Sequence, residues 1–333
     1  MLLTPSHLLF FSTLMFGMMM AISSSSWFTA WMGLELNLLS FIPLISSETN
    51  QFSSEASLKY FLTQALASAM ILLSASTMTT GVMFSYYLLS TALLIKMGAA
   101  PFHMWFPMVA EGLGWLQFII LSTLQKVAPM MLLSHTTEQS HSLILLVIGT
   151  SAMVGALGGI NQLMLRKMMS YSSIGHTAWM LATLLVSESL WFIYFLVYCI
   201  TSITITLFFF YKQAYHISHL ISASFQNTQQ SAVMFMSLLS LGGLPPFTGF
   251  IPKWITIQEL VTSSFTFLTL LLIAGTLINL YYYLRLALTS FMMNPPMLKW
   301  QLIQNGNMST VNMIMMLLNI MGLLLSPLIF MIN

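Results

Sequence analysis

The chain has 333 residues, of which 58% are hydrophobic and only 5% charged, with a formal net charge of +2. Soluble domains carry about 25% charged residues, so this composition belongs to an integral membrane protein, and so small and dispersed a charge excludes a nucleic-acid partner. The one cysteine, Cys199, excludes a disulfide framework and a cysteine zinc site.

A bilayer-crossing helix needs about 20 mostly apolar residues. In chain order, the runs that qualify are roughly 5–22, 27–45, 55–78, 84–107, 115–134, 142–162, 167–186, 189–211, 231–261, 264–288 and 310–331, which makes eleven spans. Met1 to Phe11 carry neither a basic stretch nor a small-residue cleavage pattern, so no removable signal peptide is expected. The longest connections, about 212–230 and 289–309, are too short for a separate soluble domain. The expectation is an all-α protein with a single polytopic domain over 1–333. Trp27 and Tyr281 to Tyr283, near span ends, read as interface anchors.

The boundary cations test this count. Lys59, Arg166, Lys167, Lys212, Arg285 and Lys299 fall at the connections after spans 2, 6, 8 and 10, whereas Glu138 and Glu188 fall at odd connections. By the positive-inside rule the N-terminus is then inside and the C-terminus outside. Spans 1–5 (residues 1–134) and 6–10 (142–288) become two five-helix repeats of opposite orientation, followed by a loop and last helix over 289–333. Span 4 contains Lys96-Met-Gly-Ala-Ala-Pro101-Phe-His103, and span 9 contains Leu241-Gly-Gly-Leu-Pro245-Pro246 followed by Gly249 and Lys253. Gly- and Pro-interrupted helices at matching positions of two halves point to an inverted-repeat transporter.

Glu35, Lys96, Lys126 and Lys253 lie near the middle of spans, where a charge costs roughly 2.5–3.5 kcal/mol on insertion scales and marks a functional site by default. Proline removes a helical partner from the carbonyl four residues earlier. Pro101 thus releases the carbonyl of Met97, Pro129 that of Gln125, and Pro245 and Pro246 those of Leu241 and Gly242, each close to one of the lysines. Released carbonyls at membrane depth need protein or water as partners. Burial disfavours the charged form of lysine and carboxylate alike, while a nearby opposite charge favours it. Such groups can alternate between paired and proton-exchanging states, which arginine could not do. A static ion pair with Glu35 is the alternative for any one lysine, but one glutamate cannot neutralise three.

Other groups carry weaker signals. His176 reads as a helix-packing residue or a relay, and His103 as a second relay candidate two turns from Lys96 on the same helix face. Lys59 follows Glu55 by four residues, the favourable order for an ion pair, with a part in proton transfer as the alternative. Glu111 and Glu259 lie near helix ends, and Gly155 and Gly159 form a small-xxx-small match for close helix packing. No dinucleotide fingerprint, Walker loop, H-E-x-x-H or cysteine ligand set occurs, so no cofactor, metal or nucleotide is expected in this chain.

The stretches Trp31-Met-Gly-Leu-Glu35, Glu55-Ala-Ser-Leu-Lys59-Tyr, Lys96 to His103, Gln125-Lys-Val-Ala-Pro129, Ser172-Ser-Ile-Gly-His176 and Leu241 to Trp254 together carry a family likeness. The chain resembles the antiporter-like membrane subunits of NADH–ubiquinone oxidoreductase, respiratory complex I, a family shared with multisubunit sodium/proton antiporters. The match is collinear over about 20–290. It departs at Leu124, where the family has Trp before Gln-Lys. The resemblance implies a proton-translocating subunit of the mitochondrial inner membrane, with the N-terminus on the matrix side and the C-terminus on the intermembrane-space side. It implies other membrane-arm subunits and the lipid bilayer as partners, and electron transfer in other subunits. It assigns Glu35 and Lys96 to a coupled pair, Lys126 to a central relay and Lys253 to an exit-side site. A stand-alone cation/proton antiporter and a purely structural scaffold are the competing readings.

Overall fold

The computed structural model describes residues 5–47, 50–78, 83–224 and 228–292, with side chains described except at 221–233 and 289–292. The expected eleventh span and Lys299 lie outside these residues.

The fold is all-α. The helices are α1 (Pro5–Ile22), α2 (Trp27–Ile45), α3 (Gln51–Met78), α4 (Phe84–Met97), α5 (Trp105–Gly112), α6 (Trp115–Ser122), α7 (Leu124–Ser134), α8 (His141–Gly159), α9 (Leu165–Val186), α10 (Glu188–Tyr211), α11 (Ile217–Ser224), α12 (Thr228–Gly242), α13 (Phe250–Thr262) and α14 (Thr266–Met292). Seven of the described stretches are long and apolar enough to cross a membrane: α1, α2, α3, α6 with α7, α8, α10 and α14. Residues divide into two compact units at Ser151/Ala152, inside α8.

Each expected break is present. Span 4 ends as a helix at Met97, where Gly98 takes a left-handed conformation (φ 71°) and its N–H bonds the Ile95 carbonyl. Only glycine enters that region without strain. Turns then lead to α5. Span 9 divides into α12 and α13 around Gly243, also left-handed at φ 79°. One break was not expected. Span 5 is interrupted at Thr123, between α6 and α7, where the Thr123 N–H (3.0 Å) and hydroxyl (2.6 Å) both donate to the Ile119 carbonyl. Pro129 does not end α7, which continues through it to Ser134.

Two local expectations need correction. His103 does not share a helix face with Lys96, because α4 stops at Met97 and His103 lies in the following turns, its Nδ1 3.2 Å from the Pro101 carbonyl. Tyr282 and Tyr283 are not interface anchors. Both are fully buried, and only Tyr281 is exposed. A run of three tyrosines on one helix spreads over about 200° of its circumference at 3.6 residues per turn, so they cannot all face the same surroundings.

In the first unit α7 packs against α1, α2 and α4, and α3 against α2, α4 and α5. In the second, α9 is enclosed by α10, α13 and α14. That enclosure explains why α9 is too polar to qualify as a lipid-facing span. Ser170, Ser172, Ser173, Thr177 and Thr183 are all buried, and each returns its hydroxyl to a carbonyl one turn back. Gly155 of α8 lets the backbone of α9 approach, since a Cβ there would stand 2.5 Å from the Gly175 nitrogen. This is the close packing expected of the Gly155/Gly159 pair.

Candidate proton-transfer site

The first unit gathers Glu35, Lys96 and Lys126 on α2, α4 and α7, with α7 packed on both of the others. Lys96 is buried, in the last turn of α4, where the negative end of the helix dipole favours a cation. Glu35 is half-buried and within electrostatic range of both Lys96 and Tyr60. The glutamate and the lysine thus act on each other through space. Lys59 and Glu55 do close to contact, at 3.3 Å on the exposed face of α3. This is the boundary pair the i, i+4 spacing predicts.

Lys126 is more deeply placed, with only 1% of its surface exposed. It sits in the first turn of α7, just after the break at Thr123, and its Nζ lies 5.3 Å from the centre of the Phe106 ring. An aromatic face attracts a cation in a desolvated position. Beside it, Gln125 donates from Nε2 to Asn37 Oδ1 at 3.0 Å, and both amides are buried. Asn37 is two residues from Glu35 on α2, so this bond joins the carboxylate-bearing helix to the Lys126 helix.

The second unit uses a different construction. Lys253, in the first turn of α13, is buried and reaches back across the break. Its Nζ donates to the carbonyls of Leu241 (3.0 Å) and Gly242 (2.9 Å). These are the two carbonyls whose helical partners Pro245 and Pro246 remove. The ammonium therefore replaces the missing N–H groups and caps the negative end of α12. Gly243 makes room for it, because a Cβ there would lie 2.8 Å from Lys253 Nζ.

His176 is buried on α9, with Nδ1 3.0 Å from the Tyr194 hydroxyl and its ring 5.0 Å from that of Tyr198. Tyr194 is itself held flat against Trp179. A small cavity lined by His176, Tyr194, Tyr198, Thr201, Gly249 and Pro252 lies beside this group and reaches the residue next to Lys253. It has room for about one water molecule. His176 is thus both packed and adjacent to a small cavity. Glu111 and Glu259 are half-buried near helix ends.

The sequence profile described as NADH:quinone oxidoreductase/Mrp antiporter, TM, matches residues 24–82 and 75–279. The chain belongs to this family. Among its relatives, the proteins called NADH-ubiquinone oxidoreductase chain 2 from Anopheles gambiae and Aedes aegypti are 42% and 44% identical, each alignment covering 98% of both chains. A chain of respiratory complex I from Thermus thermophilus has the same fold, with a TM-score of 0.82 at 23% identity over 96% of this chain and 78% of that one. A chain of the Mrp complex from Dietzia sp. superposes with a TM-score of 0.74 at 16% identity over 86% of this chain and 61% of that one.

Three features of the site carried no signal that sequence reasoning used. The Asn37–Gln125 bond joins residues 88 positions apart. Tyr194 as the partner of His176 required knowing that α9 and α10 pack together. The break at Thr123 has neither glycine nor proline to mark it.

Proposed function

We propose that this chain is a proton-translocating, antiporter-like subunit of the membrane arm of respiratory complex I, working beside other membrane-arm subunits in the mitochondrial inner membrane. Membership of the family and near-full-length likeness to chain 2 proteins of NADH–ubiquinone oxidoreductase support this reading. The observation that carries the chemistry is the placement of three lysines with 7%, 1% and 7% of their surface exposed, each within a few residues of a helix break.

In this reading Glu35 sets the charge state of Lys96, since each favours the ionised form of the other. A proton leaving Glu35's neighbourhood strengthens the hold on Lys96, and a proton arriving weakens it. Lys126 is the central relay that accepts and releases the proton, with the face of Phe106 stabilising its charged form. Lys253 receives it where the α12 carbonyls hold the ammonium, and His176 is the candidate carrier through the adjoining cavity. Lys59 stays with Glu55 as a boundary pair. Electron transfer proceeds in other subunits. The even-connection cations support an N-terminus on the matrix side.

The test is a native gel of mildly solubilised inner membranes, stained for NADH oxidation and analysed for this chain by mass spectrometry. The chain is expected in the large NADH-oxidising band. Its confinement to a small band without that activity would refute the proposal and favour a self-standing antiporter.

A further inference from the structure

Tyr194, Val197, Tyr198 and Thr201 are spaced i, i+3, i+4 and i+7 along α10, so one face of that helix forms a wall of the cavity beside His176. The hydroxyls around this cavity differ in what their protons can do. Thr201 Oγ1 donates within its own helix, to the carbonyls of Val197 (3.0 Å) and Tyr198 (3.1 Å). Ser240 Oγ donates to the Ser237 carbonyl at 2.7 Å. Both protons are committed to the main chain, the usual habit of serine and threonine inside helices. A tyrosine hydroxyl stands too far out on its ring to reach the carbonyls of its own turn, so its proton points at a neighbour.

For Tyr194 that neighbour is His176, with Oη 3.0 Å from Nδ1. The phenol ring is buried and held in place, its centre 6.4 Å from that of Trp179 and its plane within 6° of parallel. The O–H torsion is what remains to turn. Across this distance a phenol serves in either sense. It donates to the bare Nδ1 of a neutral imidazole protonated on Nε2, and it accepts from the Nδ1–H of an imidazolium. A backbone carbonyl or an amide N–H in the same place would suit one state only. When Tyr194 accepts, its own proton needs another acceptor. Tyr283 of α14 is within electrostatic reach, and its buried hydroxyl stands near Ser172 and Tyr282 without closing a hydrogen bond. Tyr198 is also in reach, its ring 5.0 Å from that of His176.

We propose that Tyr194 is the positioning residue of His176, a hydroxyl rotor that lets the buried imidazole alternate between its neutral and charged forms, with Tyr283 as the second acceptor. While the imidazole is neutral, Tyr194 Oη–H donates to Nδ1. When a proton crosses the cavity from the Lys253 ammonium, the hydroxyl turns aside and the Nδ1–H bond forms. The ammonium becomes an amine, and no bond of Tyr194 breaks. Oη then accepts from Nδ1–H and donates toward Tyr283, and release of the proton reverses these steps. The titratable groups that the enclosing helices bring here are Tyr194 and Tyr198 from α10, Lys253 from α13 and Tyr283 from α14. Tyr283 also packs beside Gly242, where a Cβ would lie 3.7 Å from its ring, and the Gly242 carbonyl is one that holds Lys253. The rotor therefore lies between the histidine and the break that the lysine caps. This assignment rests on the reading of His176 as a proton carrier.

The experiment uses the assembled complex in proteoliposomes and follows protons translocated per electron from about pH 6 to about pH 8, the range in which an imidazole titrates. Tyr194→Phe keeps the ring and its stack on Trp179 but removes the hydroxyl. A hydrogen bond to a charged group is stronger than one to a neutral group, so this variant disfavours the imidazolium. Its loss of pumping on the alkaline side is expected to set in about one pH unit lower than in the unmodified complex. Tyr283→Phe removes only the second acceptor and should move the profile the same way by less. Should Tyr194→Phe fail to assemble, Tyr283→Phe carries the test, and an unchanged profile in it would overturn the assignment. An unchanged profile in Tyr194→Phe, or an equal loss at every pH with a lowered melting temperature, would do the same and leave Tyr194 as a packing residue. His176→Phe separates the two readings, and a lowered ratio is expected at every pH. That result beside an unchanged Tyr194→Phe refutes the rotor alone, whereas a normal ratio in His176→Phe removes the carrier and the rotor with it.

Discussion

The two helix breaks solve one problem from opposite sides. In both, a left-handed glycine ends a half-helix within the bundle, a proline follows, and a buried lysine meets the negative end of that half-helix. Lys96 does so from within, standing in the last turn of α4. Lys253 does so from outside, reaching back from α13 to the open carbonyls of α12. Lys96 answers in addition to a titratable partner, Glu35, whereas the direct partners of Lys253 Nζ are backbone oxygens whose charge cannot change. The first lysine is therefore adjustable by protonation of a neighbour. The second changes its state through water, through His176 beyond Pro252, or through movement of the break itself.

The largest expected effect comes from filling the space beside Lys253. Gly243→Ala combines a left-handed backbone, about 1–2 kcal/mol for a non-glycine residue, with overpacking that typically costs about 1–3 kcal/mol. It should displace the ammonium and lower both assembly and NADH-driven proton uptake. Gly98→Ala bears the same backbone strain, but its Cβ would meet Phe106 at 3.1 Å and not the lysine. A milder loss, measured by the thermal stability of the assembled complex, is expected. Equal losses in the two variants would break the contrast between the sites.

Next in size is Lys253→Met, which leaves the Leu241 and Gly242 carbonyls without a donor, at about 1–3 kcal/mol for each buried group. Lys96→Met abandons no such pair of carbonyls and should be less damaging to thermal stability while still impairing proton uptake. A reversed order in melting temperatures would contradict the assignment of fixed backbone partners to Lys253.

Smaller again is Gln125→Leu, which leaves one buried acceptor, Asn37 Oδ1, without its donor and should cost about 1–3 kcal/mol, against two such groups in Lys253→Met. Since that bond ties the Glu35 helix to the Lys126 helix, proton uptake should fall more than stability does. Uptake unchanged in this variant would show that the amide pair only packs. The least effect is expected from Lys59→Gln. Its exposed i, i+4 pair with Glu55 contributes about 0.3–0.5 kcal/mol, so a complex of nearly normal stability and turnover should result. Loss of pumping there would instead place Lys59 on the proton path.

What was legible in the sequence follows the same physics. Glycine and proline act on the backbone locally, so the breaks in spans 4 and 9 could be read from Gly98, Pro101, Gly243 and the Pro245-Pro246 pair. The rule that proline releases the carbonyl four residues back even named the two oxygens that Lys253 takes. Thr123 was illegible because a threonine hydroxyl bonds backward in many unbroken helices as well. The Asn37–Gln125 bond and the burial of Tyr282 and Tyr283 depend on which helix faces pack together. A uniformly apolar chain carries little of that information, because polar and apolar faces cannot be told apart by periodicity. His103 failed for a related reason, since a helical-face argument does not survive a break between its two ends.

The central claim, that buried lysines in this chain carry protons, is tested most directly at Lys126. The assembled complex with Lys126→Ala, reconstituted in proteoliposomes, allows the number of protons translocated per electron passed from NADH to quinone to be measured. We predict an intact complex with a ratio clearly below that of the unmodified protein. A normal ratio in an intact complex would contradict the account and leave Lys126 as a structural residue.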